Sequence, residues 1–240
     1  MLIGMYLSKF DRDGLKRLGF ESFTESFNAI GLAINAKPSS IRNYMNEFDP
    51  VFPNERKGWH KRPMFRTRKE ALKKYKEMDL DGFTAIVKQI IFKNPDIDLI
   101  EDKIIEEQDK QNTFAKRLIT GQAAEQYFRD NYSTISIFRN SVLEDTTKQG
   151  CGFDFKLNNE DKFFAVEVKG LEKDKGGVGL TNKEYQTATF LRESYFIFVV
   201  KNFIEIPNHR IFRNPVFANE LEFNKQEKLI KQISWNTVIV

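Results

Sequence analysis

The chain has 240 residues, of which 40% are hydrophobic, so it can bury one large core or two small ones and is not expected to be disordered. Its 38 lysine and arginine residues exceed its 34 aspartate and glutamate residues, and the formal net charge of +4 permits a polyanionic partner without requiring one. The single cysteine, Cys151, excludes intramolecular disulfides and zinc sites built on paired cysteines. Because there is no signal-peptide pattern and no apolar stretch near the roughly 20 residues of a membrane helix, we expect a protein of a reducing cytoplasm.

A change in composition divides the chain. After Pro95, residues 96–110 turn acidic and polar, as is typical of a boundary between domains. The pattern before this segment is mainly helical, whereas after it one helix is followed by several β-branched and aromatic strand candidates. We therefore expect a helical domain over residues 1–95, a linker or connecting helix over 96–112, and a second domain over 113–240.

Two short predicted helices in the first part have the proportions of a helix-turn-helix. The capping-box spacing of Ser22 and Glu25 opens the first helix, and Pro38 opens the second, which turns Ile41, Tyr44 and Phe48 inward. Four outward side chains of the second helix can reach DNA phosphates or base edges. These candidate DNA contacts are Ser40, Arg42, Asn43 and Asn46.

A basic segment follows these helices. Between Glu55 and Lys76, ten basic residues stand against two acidic ones, which favours DNA binding. Its first part, residues 56–62, is expected to form a loop or wing lying along the DNA backbone with salt-dependent affinity. Its candidate DNA contacts are Arg56, Lys57, Trp59, Lys61 and Arg62. Other interpretations stay open. The two helices can belong to a bundle that binds nothing, and the basic surface can be merely solvated. Trp59 can equally anchor a loop in the core instead of contacting DNA.

The second part contains a predicted β-hairpin. Its centre, Asn158-Asn-Glu-Asp, consists of turn formers between flanks rich in aromatic and β-branched residues. A loop centred between Asn159 and Glu160 places position 155 opposite 164 and position 153 opposite 166. One face then carries only Phe153, Phe155, Leu157, Phe164, Val166 and Val168. The other face carries Asp154, Lys156, Ala165, Glu167 and Lys169.

This arrangement gathers two carboxylates and an ammonium on one surface. Asp154 and Glu167 are diagonal neighbours, close enough to share one divalent cation, and hard oxygen ligands in small number suit Mg²⁺. Lys169 can orient or help deprotonate the attacking water and offset charge on the phosphorane. These three side chains are of the types that metal-dependent phosphodiester hydrolysis requires.

The pattern of Asp followed after a turn by Glu-x-Lys is similar to the PD-(D/E)xK motif of the restriction-endonuclease-like superfamily. More narrowly, four segments resemble the NO VEIN-type carboxy-terminal domain, which is a nuclease-like branch near the Mrr-type restriction enzymes. These segments are Gly152-Phe-Asp-Phe, Val166-Glu-Val-Lys-Gly, Leu180-Thr-Asn-Lys-Glu and Asn214-Pro. The resemblance covers roughly residues 114–240, and Phe153 stands where the superfamily often has proline. It implies an α/β (α+β) fold in which a mixed sheet is flanked by helices. The small helical domain precedes this fold in the chain.

A third carboxylate comes from the predicted helix before the hairpin. The stripe from Phe114 through Leu118 and Gly121 to Phe128 includes Glu125, and a carboxylate on an apolar face needs a cation or a strong donor. The resemblance implies that this residue is the glutamate that completes metal binding in Mrr-like nucleases. The alternatives are an ion pair with Lys169 or Arg129, or an apolar stripe that is displaced by one position from the one drawn here. The candidate ligands for Mg²⁺, or for Mn²⁺ in its place, are thus Asp154, Glu167, Val168 and Glu125.

A capping box is also predicted after the hairpin. The spacing of Thr181 and Glu184 starts a helix, and we assign these two residues that structural role. Lys183 and Gln186, near the same helix start, are further candidate contacts with DNA phosphates.

Together these features predict a Mg²⁺-dependent endonuclease that cuts double-stranded DNA, of the Type II restriction kind, in a prokaryotic cytoplasm. The predicted catalytic residues are Asp154, Glu167, Lys169 and Glu125. Because cutting a duplex commonly requires two active sites, we expect a homodimer. Two alternatives remain: a non-catalytic DNA-binding regulator with a nuclease-like fold, and a nuclease that repairs DNA or resolves junctions.

Overall fold

The structure is a computed structural model that describes residues 1–56, 58–59, 63–92, 108–159 and 162–227, with the backbone alone over 108–114. The α-helices of this described part are α1 (Leu2–Arg17), α2 (Phe23–Ala33), α3 (Pro38–Phe48), α4 (Arg66–Tyr75), α5 (Leu80–Phe92), α6 (Gln108–Asn131) and α7 (Asn182–Leu191). Its strands are β1 (Val142–Asp145), β2 (Phe155–Asn159), β3 (Lys162–Leu171), β4 (Tyr195–Lys201) and β5 (Asn208–Arg213). The predicted domain boundary falls mostly on residues 93–107, which lie outside the described residues.

The five strands form one mixed sheet in the order β1-β2-β3-β4-β5. Strands β3 and β4 are parallel, and every other neighbouring pair is antiparallel. A parallel pair needs a crossover connection, and α7 lies in the connection between β3 and β4. A mixed sheet with flanking helices behind a helical amino-terminal region confirms the predicted fold class.

Strand β3 is the middle strand of the sheet, and both of its faces are covered. On one face Val166 packs with Phe155 of β2 and Phe198 of β4, in the core that also contains α6. On the other face Ala165 packs with Ile197 of β4 in a smaller cluster that includes α7. A strand buried on both faces reads as a nearly continuous apolar run, so the polar residues within β3 are exceptions.

The amino-terminal helices share the larger core with the sheet. Helix α2 packs against α6, and one continuous apolar cluster contains residues of both. Lys116 of α6 bridges Glu25 of α2 at 2.8 Å and Glu172, directly after β3, at 2.7 Å. Asn28 of α2 donates to the carbonyls of Phe203 and Glu205. Polar contacts and apolar packing therefore both tie the first helices to the sheet.

The two predicted helices of the first part are confirmed as α2 and α3. Ser22 caps α2, because its side-chain oxygen accepts a hydrogen bond from the amide of Glu25 at 3.1 Å. The Glu25 carboxylate does not complete the capping box; it accepts from the amide of Glu21 instead. Helix α3 begins at Pro38, as predicted. A helix-turn-helix function for the pair stays a prediction.

The predicted register of the hairpin was wrong by two residues. Phe155 lies opposite Val166, and Leu157 lies opposite Phe164. Strand β2 ends at Asn159 and β3 begins at Lys162, so the hairpin is centred one residue later than the sequence analysis placed it. Because side chains alternate with a period of two, a two-residue displacement keeps each strand residue on its predicted face.

Phe153 is the exception to the predicted faces. It precedes β2 and packs with the smaller cluster beneath α7 rather than with Phe155. Gly152, directly before it, has a φ of 90°, and a Cβ there would lie 2.3 Å from the side-chain oxygen of Thr187. The chain turns at this glycine, so strand alternation does not extend back to Phe153.

Gly170 of β3 marks a close approach of the sheet to α6. A Cβ at this position would lie 2.7 Å from the backbone oxygen of Thr120. We expect Gly170→Ala to lower the free energy of unfolding by about 1–3 kcal/mol, because helix and strand must separate to admit a methyl group. Urea denaturation followed by circular dichroism measures this change.

Gly121, next to Thr120 on α6, provides the matched control. A Cβ there meets nothing within 4 Å, so Gly121→Ala should stabilise the helix by about 0.5–1 kcal/mol. Equal effects of the two substitutions would contradict a tight contact between β3 and α6.

Candidate active site

Asp154 is held against the middle of β3. Its backbone amide donates to the carbonyl of Val166 at 3.1 Å, and its Oδ2 accepts from the amide of Val168 at 2.8 Å. Thr146, just after β1, donates its amide to the Asp154 carbonyl at 2.9 Å. The carboxylate therefore has a fixed position beside residues 166–168.

The turn before Asp154 is held by hydrogen bonds from β4 and α7. The hydroxyl of Tyr195, which is buried on β4, donates to the carbonyl of Gly152 at 3.0 Å. The Thr187 hydroxyl of α7 donates to the carbonyl of Cys151 at 3.4 Å. Contacts from β4 and α7 thus set where the Asp154 carboxylate enters the site.

Glu167 and Lys169 lie on the same face of β3. Glu167 is 3% exposed, and its Oε1 accepts from the Nζ of Lys169 at 2.5 Å. The structure therefore brings together three of the four predicted catalytic residues, Asp154, Glu167 and Lys169, as the alternation of the strand predicts.

Glu184 joins this group from α7. Its Oε2 accepts from the Nζ of Lys169 at 2.9 Å and from the backbone amide of Thr181 at 2.8 Å. Thr181 accepts from the Glu184 amide at 3.2 Å, so the predicted capping box is confirmed. The sequence analysis missed the second role of Glu184, because the spacing within a helix does not tell which strand its first turn will face.

Glu125 lies on α6, which packs on the sheet face of Phe155 and Val166, opposite the face of Glu167 and Lys169. Its carboxylate pairs with Arg129 at 3.4 Å, so the ion pair that the sequence analysis left open as an alternative is present. Arg129 also pairs with Asp145 at the end of β1 at 2.7 Å, and its guanidinium lies 4.8 Å from the ring centre of Phe155. The sequence analysis missed Arg129 as a bridge and Asp145 altogether.

Burial shifts the carboxylates of the site toward the protonated form. It raises the pKa of Glu167 to about 8, with added repulsion from Asp154. It raises the pKa of Glu125 to about 7, again with repulsion from Asp154. Burial also raises the pKa of Asp154 itself, against the hydrogen bond from Val168 and the attraction of Lys169. The positive charge around these three neighbouring carboxylates is therefore too small to offset their burial and mutual repulsion.

Lys169 behaves in the opposite way. Burial lowers the pKa of its ammonium, but attraction and hydrogen bonds from Glu167 and Glu184 outweigh burial and hold the pKa above its ordinary value. The side chain is therefore a fixed cation at neutral pH. It can stabilise negative charge, but it does not accept a proton.

The donor chemistry of the site suits a divalent cation. Within the described residues, no group of three or more histidine, cysteine or acidic side chains is arranged to hold one metal ion. The charge balance nevertheless favours a further cation, since the site's cations are Lys169 and Arg129 and its carboxylates are Glu125, Asp145, Asp154, Glu167 and Glu184. Hard oxygen donors such as these carboxylates fit Mg²⁺.

The predicted DNA contacts of α3 are divided between surface and interior. Arg42 and Asn43 are exposed, whereas Ser40 and Asn46 are half-buried. The backbone carbonyl of Asn46 also accepts from the amide of Trp59 at 2.9 Å. The exposed face of α3 therefore carries a single cation.

Arg56 is engaged inside the protein. Its guanidinium pairs with the buried Asp49 at 2.9 Å and with Asp11, where α1 is kinked. Three predicted contacts, Lys57, Lys61 and Arg62, lie outside the described residues. On α7, both Lys183 and Gln186 are exposed, as their predicted role requires.

A comparison with protein families associates this site with nuclease-like proteins. The family described as "Protein NO VEIN, C-terminal" matches residues 122–212, which is less than half of the chain. The matched segment runs from α6 to β5 and contains Glu125, Asp154, Glu167, Lys169 and Glu184. Over this segment the chain is similar to a family associated with nuclease-like domains, which indicates a nuclease-like or DNA-related function. Comparisons with curated proteins and with solved structures gave no match.

The helices of the described residues do not include one that is both long and apolar enough to span a bilayer.

The raised pKa of Glu167 predicts how the stability of the protein depends on pH. The folded state binds this proton more tightly than the unfolded state, so the contribution of Glu167 to stability falls as the pH rises from about 4.5 to about 8. In EDTA, we expect Glu167→Gln to be more stable than the wild type at pH 8 by at least about 1 kcal/mol, with a smaller difference near pH 5. Urea denaturation at both pH values measures this.

Glu144→Gln is the control, because Glu144 is an exposed carboxylate on β1 whose partners among the described residues are Lys156 at 3.7 Å and Asn158. Its effect should be small at both pH values. A Glu167→Gln variant that is less stable at pH 8 than at pH 5, relative to the wild type, would contradict a strained carboxylate at this position.

Proposed function

We propose that this protein is a Mg²⁺-dependent endonuclease that hydrolyses phosphodiester bonds in double-stranded DNA, as part of a restriction system. The observation that carries this proposal is the convergence of Asp154, Glu167 and Lys169 at the central strand, with Glu125 of α6 close enough for the charge of Asp154 to raise its pKa. The nuclease-like family match over the same residues supports it.

Asp154, Glu167 and the backbone carbonyl of Val168 are the groups that would hold the metal ion, with Glu125 at the edge of the site. Bound Mg²⁺ would supply a Lewis acid and lower the pKa of a bound water molecule. The Val168 amide fixes the Asp154 carboxylate through Oδ2, which leaves Oδ1 outside that hydrogen bond. Glu167, at 3% exposure, is shielded from water that would compete with a ligand.

Lys169 carries the electrostatic part of the reaction. Its ammonium is held by Glu167 and Glu184, and its raised pKa keeps it charged at the pH of a cell. A fixed cation stabilises the negative charge that grows on the phosphate in the transition state and needs no reorganisation to do so. Glu184 does not touch the substrate in this mechanism; it positions Lys169.

The first test compares cleavage of a supercoiled plasmid in Mg²⁺ by the wild type and by Asp154→Asn and Lys169→Met. We expect each substitution to lower the cleavage rate at least about 100-fold, because each removes a metal ligand or a transition-state charge. Lys156→Met is the control, since Lys156 lies on the same hairpin but pairs with the exposed Glu144. Unchanged cleavage in Asp154→Asn and Lys169→Met would overturn the proposal.

Metal binding is measured separately from cleavage by thermal unfolding. Mg²⁺ should raise the Tm of the wild type, and the rise should continue with the logarithm of the Mg²⁺ concentration above the dissociation constant, whereas the Tm of Asp154→Asn should stay unchanged. Duplex cutting also predicts a homodimer, which light scattering with and without DNA reports. A Mg²⁺-independent Tm together with DNA binding would favour a non-catalytic regulator, and preferential cutting of branched DNA would favour a repair nuclease.

A matched pair of substitutions separates the two roles of Glu184. Glu184→Gln keeps a side chain that can complete the capping box but removes the charge that pairs with Lys169. Thr181→Ala removes the cap and leaves that charge in place. We expect Glu184→Gln to lower kcat about tenfold with little change in KM, and Thr181→Ala to lower stability by about 1 kcal/mol with kcat preserved.

Plasmid cleavage kinetics and urea denaturation of both variants measure these effects. If Thr181→Ala lowers kcat as much as Glu184→Gln does, the contribution of Glu184 is that of a helix cap alone.

A further inference from the structure

The strongest unassigned charge on the described surface lies along α4. Four basic residues, Arg66, Lys69, Lys73 and Lys76, follow one another at spacings of three, four and three residues, and all four are exposed. Such spacing places them on one stripe of the helix, about 15 Å long at 1.5 Å per residue. None of them was among the candidate DNA contacts of the sequence analysis.

The structure explains why this stripe faces away from the protein. Arg68 is the one cation of α4 that turns inward: it pairs with Glu47 of α3 at 2.9 Å and lies 4.9 Å from the ring centre of Tyr44. At the other end, Tyr75 stacks on Phe83 of α5 with ring centres 5.6 Å apart. These anchors fix the rotation of α4 about its axis.

The stripe has little acidic compensation. Glu70 pairs with Arg66 at 2.9 Å in an exposed ion pair, whereas no salt bridge to Lys69, Lys73 or Lys76 is found within the described part of the chain. Like charges one turn apart, as at Lys69 and Lys73, destabilise a helix. A partner that brings negative charge relieves this repulsion.

The chemistry of the stripe fits a nucleic acid better than a membrane. A helix that lies in a membrane surface presents an apolar face beside its cations. In α4 the apolar residues Ala71, Leu72 and Tyr75 pack into the protein core, and Phe65, just before the helix, is the exposed aromatic at its end. A row of cations with no apolar face matches the regular phosphates of a duplex.

We propose that α4, rather than α3, is the main element of the amino-terminal region that binds the duplex DNA backbone, through Arg66, Lys69, Lys73 and Lys76. The proposal rests on the proposed nuclease function for the identity of its partner. It assigns to α4 a contact that carries affinity and salt dependence without reading the base sequence. Arg42 and Asn43 of α3 remain available for other contacts.

The test measures binding of a short fluorescent duplex in EDTA by anisotropy, between about 0.05 and 0.2 M salt. We expect Lys69→Ala/Lys73→Ala to weaken binding about thirtyfold near 0.15 M salt and to reduce the slope of log affinity against log salt by about 2, because each lysine neutralises one phosphate. Alanine is a good helix former, so the circular dichroism spectrum of the variant should show unchanged helical content.

Two control variants locate the effect. Lys16→Ala/Lys74→Ala removes the same charge from exposed lysines off the stripe and should leave the salt slope unchanged. Arg42→Ala tests the α3 surface and should reduce the slope less than the double substitution on α4 does. A double variant on α4 with the wild-type affinity and slope would overturn the proposal, as would equal losses in the lysine control.

The outcomes also separate this proposal from the nuclease function. A wild type that binds and cuts DNA while the α4 variant binds equally well overturns the role of α4 alone. Binding that depends on α4 without Mg²⁺-dependent cutting supports α4 and removes the nuclease. A wild type that binds anionic vesicles but not duplex DNA overturns both.

Discussion

Strand β3 lies at the centre of the sheet and its middle is covered on both faces, so the charged side chains of Glu167 and Lys169 must find their partners inside the protein. Glu167 meets this constraint through Lys169, and Lys169 meets it through Glu167 and Glu184. The same constraint explains the fixed position of Asp154, whose carboxylate accepts the Val168 amide. The arrangement of the candidate site therefore follows from where a few charged residues interrupt an otherwise apolar strand.

The charge balance of the site opposes the stability of the fold. Burial and repulsion from Asp154 raise the pKa of Glu125 to about 7 and that of Glu167 to about 8, and the available cations are already shared. A core built only for stability would replace these groups with apolar residues. Unfavourable electrostatics concentrated at one place in a sheet is typical of a site that binds a charged partner.

Much of the site could be predicted from the sequence, because strand alternation is a local property. The period of two placed Asp154, Glu167 and Lys169 together, and a register error of two residues left that result intact. Phe153 was misplaced, since the backbone turn at Gly152 ends the alternation. The link between Glu184 and Lys169 could not be predicted, because it depends on how α7 packs across the sheet.

The first half of the chain shows the same limit. Helices α2 and α3 were predicted from caps and apolar spacing, yet the partners of the basic residues were not. Arg56 was selected as a DNA contact and Lys69 and Lys73 were not, whereas the structure pairs Arg56 with Asp49 and leaves Lys69 and Lys73 exposed. The pattern of charges along a chain does not say which cations find acidic partners in the fold.

The bridge from Lys116 to Glu25 and Glu172 limits how such a protein can diversify. One ammonium on α6 is shared by a carboxylate of the first helices and a carboxylate at the end of β3. Exchange of the amino-terminal region for an unrelated one would remove Glu25 and expose the apolar surface of α6 that α2 covers. Changes in what the amino-terminal region binds are therefore expected to arise by substitutions on the outer surface of these helices, not by recombination of whole modules.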